Sequence, residues 1–179
     1  MDDQYVARVL AGDTDAYRYF LRTYQDMAFS LAMSILKDEF LAEEAAQDAF
    51  VKAFASLGSF AGKSSFKTWF YRIVLNAAFA KRKKQQKEWI EFQAGYDEEL
   101  ADDDAMAKMS EDEQAWLVNE GLKRLTEKEA VVLRLFYLED EPIKSVSDIT
   151  GWSEANVKVI LHRARKNMLS VFKKLLKHE

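Results

Sequence analysis

Residues 62–84, GKSSFKTWFYRIVLNAAFAKRKK, interleave aromatic rings with seven lysines or arginines and contain no acidic side chain. Such a mixture suits a surface that binds a polyanion. The loop Gly62-Lys63-Ser64-Ser65 is rich in hydrogen-bond donors. Lys67, Arg72, Lys81 and Arg82 are candidates for backbone phosphates, with Arg72 alternatively buttressing the loop. Phe66, Trp69, Phe70, Ile73, Val74 and Ala77 fall at offsets of 0, 3, 4, 7, 8 and 11, the apolar stripe of an amphipathic helix. Those rings read as core, and Tyr71 and Phe79, off the stripe, are left as the candidates for stacking on bases.

A second constellation lies in PIKSVSDITGWSEANVKVILHRARKNM, residues 142–168. Ile143, Val146 and Ile149 supply the inner face of one short helix, Gly151 a sharp turn, and Val157 and Ile160 the anchors of a second helix. Glu154, Asn156, Lys158, His162, Arg163 and Lys166 are left facing outwards, and Arg165, Lys173 and Lys174 extend the positive surface. A helix of this kind fits the major groove, where Arg and Lys donate to guanine and Asn pairs with adenine. A helical hairpin with a merely solvated basic face would show the same spacing.

These segments need elements to hold them. One proline and six glycines in 179 residues leave little turn chemistry, so the fold class is all-α. Expected helices run from Asp13 through Ile35, over EEAAQDAFVKAFASL to a stop at Gly58, and from Phe66 to about residue 92. The acidic stretch after them reads as a linker, and a helix resumes at Glu111. Thr126 and Glu129 have capping-box spacing, Pro142 opens a short helix, and Ser153 caps a last helix to about Leu176. This gives two small helical domains, 1–92 and 112–179, the second holding the helix–turn–helix, with the linker at 93–111.

Charge follows the same division. Residues 49–87 hold nine basic side chains and no acidic one, residues 88–113 eleven acidic against one lysine, and residues 155–177 again seven basic and no acidic, inside a chain of net charge −4. Two polyanion-binding surfaces joined by an acidic connector is the reading this favours. The absence of cysteine excludes disulfides and thiolate chemistry, and two distant histidines do not make an ordinary metal site. No nucleophile–base arrangement is visible, so neither an enzyme nor a cofactor is expected. No apolar run is long enough to span a bilayer and the opening MDDQYVARVL lacks the character of a signal peptide, so the expected location is the cytoplasm.

Three stretches together resemble one family: AEEAAQDAFVKAFASLGSF (42–60), FAGKSSFKTWFYRIVLNAA (60–78), and LTEKEAVVLRLFYLE followed by VKVILHRARKNM. Their order and spacing resemble the bacterial extracytoplasmic-function (ECF) sigma factors, two-domain specificity subunits of RNA polymerase. The resemblance implies that the first domain binds core polymerase and captures the minus-10 element as single-stranded DNA, through Lys63, Ser64, Ser65, Lys67, Tyr71, Arg72, Asn76, Phe79, Lys81 and Arg82. Asn76 matches a family position of the base pocket. Glu43, Glu44, Gln47 and Asp48, which by themselves read equally as a solvated helix start, would face the clamp helices of the largest polymerase subunit.

The second domain would meet the flap of the second-largest subunit and read minus-35 duplex through Glu154, Asn156, Lys158, His162, Arg163, Arg165 and Lys166. Promoter DNA and an anti-sigma factor, membrane-bound by family expectation, complete the implied partners. The linker acids Asp97 to Asp104 would mimic nucleic acid near the RNA path. Phe70, Ala46, Ile160, Pro142 and Lys144 depart from the family's usual residues, and at Ile160 a usual DNA contact is in doubt. The rival readings are a plain helix–turn–helix regulator and a mimic that sequesters an anti-sigma factor.

Overall fold

A computed structural model of the chain describes residues 1–92 and 110–176, with backbone only for 87–92 and Glu111; most of the expected linker lies outside these residues. The described residues are helical with no strand among them, and the chain divides into two compact units. Each unit is built around its own hydrophobic core.

The N-terminal unit holds α1 (Asp2–Leu10), α2 (Arg18–Leu36), α3 (Glu39–Ser56) and, as far as Gln85, α4 (Phe66–Phe92). Asp13 does cap, but it caps a single 3₁₀ turn, Thr14–Tyr17, that leads into α2; the expected long helix starts a few residues later. Helix α1 escaped the sequence reading because only Val6 and Val9 are buried on it. It is fastened instead by polar and ring contacts: Tyr19 and Tyr24 donate to the two oxygens of Asp2 at 2.9 and 2.7 Å, and Tyr5 stacks on Tyr19 at 3.9 Å.

Alanines 42, 45, 46, 49 and 53 line the inner face of α3 and let α2 pack closely against it. Above them α4 inserts its rings. Phe66 meets Phe20 at 4.0 Å, and Phe70 sits between Phe50 at 4.6 Å and Tyr24 at 5.8 Å. Phe66 and Phe70 are fully buried, each contributing about 1.5–3 kcal/mol through removal of apolar surface from water. That fixes the rotation of α4 about its axis, and with it the direction of every charged residue further along.

Further along the chain come α5 (Glu111–Lys123), α6 (Glu127–Leu133), α7 (Ile143–Thr150) and α8 (Glu154–Leu175); α5, α6 and α8 belong to the second unit, whereas Ser147–Gly151 group with the first. Both expected caps are present: Thr126 and Glu129 form a capping box at α6, and the Ser153 hydroxyl accepts from the Asn156 amide at 3.3 Å at the start of α8. Past Leu133 the helix widens into a π turn at Arg134–Leu138. Gly121 is where α5 lies on α8, for a Cβ there would come within 2.5 Å of the Met168 sulfur. Val131, Val132 and Leu135 are buried on α6 and its π turn, Val157 and Leu161 on α8, the helices that pack together here, and Val146 and Ile149 are buried on α7. Gly151 joins α7 to α8 at φ +75°, a left-handed conformation that glycine adopts without strain.

Candidate functional site

At 100° per residue, the buried stripe Phe66, Phe70, Val74 and Ala77 of α4 points opposite to Arg72, Asn76 and Lys83, all three exposed. Half-buried Phe79 lies on the edge of that outer stripe. The loop holding Lys63 and Ser64, both exposed, lies just before the start of α4. Ser65 spends its hydroxyl on the fold: it accepts from the Thr68 amide at 3.1 Å and caps the first turn. Ser64 donates to the adjacent Ser65 carbonyl at 3.4 Å.

Tyr71 requires a correction. It is 1% exposed, and a ring so enclosed offers no face to a base. The cause is a second buried stripe on α4, formed with Leu75 and Ala78, which a one-stripe reading of the helix did not allow for. The half-exposed Lys67 ammonium lies 5.4 Å from the Tyr71 ring centroid and covers it. Arg82, on the same side, donates to Gln85 at 3.0 Å.

Lys81 continues the inner stripe one step beyond Ala77 and so faces α3 rather than outwards. Its ammonium lies 3.1 Å from a carboxylate oxygen of Glu44 and 3.1 Å from one of Asp48. Burial pulls its pKa down, but the two carboxylates outweigh that and the net shift is upward, so the group is a permanent cation. Lys83, by contrast, was not singled out in the sequence, although seven residues from Asn76 is the helical spacing that marks the outer stripe.

Glu43, Glu44, Gln47 and Asp48 are all exposed and adjacent on the outer face of α3. Sequence reasoning missed what flanks them. Phe40 is 70% exposed, Val51 69% and Phe54 44%, at offsets of −7, +4 and +7 from Gln47. The face is therefore polar at its centre and carries exposed apolar side chains at both ends.

On α8 the seven expected DNA contacts are all exposed, whereas Ile160 is 8% exposed and belongs to the core. Asn156 and Arg163 share one flank of the helix, Lys158, His162 and Arg165 the opposite flank, and Lys166 points straight away from the core. Arg165 differs from the rest. Its Nε donates to the Tyr137 hydroxyl at 2.6 Å and its guanidinium lies over the Phe136 and Tyr137 rings. It stands at the rim of an apolar groove of about 340 Å³ lined by Val118, Leu122, Leu133, Tyr137, Met168 and Phe172. The π turn brings Tyr137 and Leu138 to this groove, a displacement that a regular helical period does not reveal.

Residues 20–88 match the family described as Sigma-70 region 2, and residues 115–168 match Sigma-70, region 4. The chain belongs to the RNA polymerase sigma-70 family. Within that family it is an ECF sigma factor. It is 26% identical over 173 residues to the ECF RNA polymerase sigma factor SigW of Bacillus subtilis, covering 90% of this chain and 91% of the relative. It is also 42% identical to the RNA polymerase sigma-H factor of Pseudomonas aeruginosa over 77 residues, a match spanning 43% of this chain and 40% of that one. The fold is similar to that of the sigma factor RpoE solved in complex with the anti-sigma factor NepR from Bartonella quintana (TM-score 0.71, 20% identity, 88% of this chain and 96% of that one).

A sigma factor with regions 2 and 4 directs promoter-specific transcription initiation as a non-enzymatic subunit, by binding core RNA polymerase and promoter DNA. The family acts in the cytoplasm alongside polymerase, and no helix among the described residues is long and apolar enough to cross a membrane.

Proposed function

We propose that this sigma factor divides promoter recognition between α4 with its preceding loop and the recognition helix α8, while the outer face of α3 docks on polymerase. The domains are assigned as 1–92, 93–111 and 112–179. In the first, Lys63, Ser64 and Asn76 receive an exposed minus-10 base, Phe79 flanks it, and Arg72 and Lys83 neutralise phosphates. Glu43, Glu44, Gln47 and Asp48, with the apolar ends Phe40, Val51 and Phe54, meet the clamp helices of the largest polymerase subunit. The apolar anchors exclude water around the charged centre, where ion pairs then count for more.

In the second domain, Asn156, Lys158, His162, Arg163 and Lys166 read the minus-35 duplex. The groove beside Arg165 takes the polymerase flap, and an anti-sigma factor competes for the same surfaces. The chain acts in the cytoplasm. The observation that carries this reading is the exposed Arg72–Asn76–Lys83 stripe, set opposite the buried rings of α4. A plain helix–turn–helix regulator leaves that stripe, and the match of residues 20–88, without a purpose.

Reconstitution with core polymerase tests the reading. Addition of the purified chain is expected to yield defined transcripts from a cognate promoter with no other sigma present. Failure to associate with polymerase, or association without initiation on any template, contradicts it.

A further inference from the structure

We propose that Lys81 is a positioning residue for the polymerase-facing acids of α3 and takes no part in holding DNA. The proposal rests on the reading of α3 given above.

Three observations carry it. Lys81 extends the stripe of Phe70, Val74 and Ala77, half a turn of the helix away from the outward residues Arg72 and Asn76. Its ammonium bridges Glu44 and Asp48 at 3.1 Å each. Its side chain is also the enclosed member of the trio, 22% exposed against 49% for Glu44 and 55% for Asp48. To reach a phosphate, Lys81 would have to abandon two carboxylates and leave its enclosure. To serve the acids it need not move.

Glu44 and Asp48 stand four residues apart on one helix, where like charges repel. A cation set behind them cancels that repulsion and holds both side chains in one rotamer, so that less freedom is lost when a partner binds. Their outward oxygens stay open to cationic groups of the partner. Lys81 thus acts on polymerase through the two carboxylates and without touching it.

The test measures the affinity of the full chain for core polymerase, the melting temperature, and the affinity of the assembled holoenzyme for a single-stranded minus-10 oligonucleotide. Lys81→Met is expected to weaken polymerase binding about 3- to 10-fold, Lys81→Arg to restore most of it, and oligonucleotide affinity to change less than about twofold. In a Glu44→Gln/Asp48→Asn background, Lys81→Met is expected to have no further effect on polymerase binding.

If Asp48→Asn weakens polymerase binding and Lys81→Met does not, the proposal fails while the reading of α3 stands. If neither weakens it, the reading of α3 fails as well. A loss of oligonucleotide affinity, a full loss in the neutralised background, or a loss that follows a lowered melting temperature and is not restored by arginine each overturns the positioning role.

Discussion

Both units present a long basic helix, yet they bury it to different depths. Helix α4 is enclosed on two stripes, one through Phe66, Phe70, Val74 and Ala77 and another through Tyr71, Leu75 and Ala78. Much of its charge is turned to internal use, with Lys81 on Glu44 and Asp48, Lys67 over Tyr71, and Arg82 on Gln85. Helix α8 is buried along one stripe only, through Val157, Ile160, Leu161 and Ala164, and exposes Lys158, Arg163 and Lys166. A helix that captures a melted strand needs a rigid floor, whereas one that enters a groove needs a wide solvent face. A count of basic residues does not distinguish these uses; the depth of burial does.

Four sets of changes would break or sharpen that contrast. The largest effect is expected from Phe70→Ala, which opens a cavity among Phe50, Tyr24 and Phe66 and should cost about 3–5 kcal/mol in urea unfolding. Val159→Ala, on the half-exposed side of α8, should stay within about 0.5 kcal/mol. Comparable costs at the two sites would contradict the burial assigned to one of them.

Next comes Arg163→Ala, which should weaken binding to minus-35 duplex by about 1–3 kcal/mol if it donates to a base, with unfolding unchanged. Undiminished affinity in a titration would remove Arg163 from the reading face. Gly151→Ala follows, at about 1 kcal/mol of stability. Beyond the two neighbouring residues no described atom lies within 4 Å of the added Cβ, so the penalty comes from the backbone at φ +75°. A thermal melt that does not shift would refute that account of the turn.

The smallest effect is expected from Lys83→Ala. It should lower the slope of log affinity against log salt for single-stranded DNA by about 0.7, the contribution of one phosphate, and leave base preference intact. Lys81→Met should leave that slope alone. Equal slopes for the two variants would erase the distinction between inner and outer lysines on α4.

The helices α2, α3, α6, α7 and α8 were legible because their apolar residues keep helical spacing and their caps stand at the required offsets, as Thr126–Glu129 and Ser153 do. Helix α1 was not, because contacts to Asp2 rather than an apolar stripe hold it. The exposed basic face of α8 was readable since a single buried stripe leaves everything else outside. Tyr71 was not readable on α4, because a second covered stripe is a tertiary fact that no local period contains. Lys81 falls on the extension of the inner stripe and its direction was legible there; its pairing with Glu44 and Asp48 was not. The apolar flanks Phe40, Val51 and Phe54 were overlooked for a related reason: an apolar residue on a helix reads as core until its neighbours are known.

The central claim is that α4 and α8 read separate parts of one promoter. Its most direct test is run-off transcription with core polymerase on a randomised promoter library, sequencing the templates that yield transcripts. The native chain should select two sequence blocks. Asn76→Ala should flatten only the block nearer the start site, and Arg163→Ala only the upstream one. Selection of a single block, or loss of the same positions in both variants, would contradict the account.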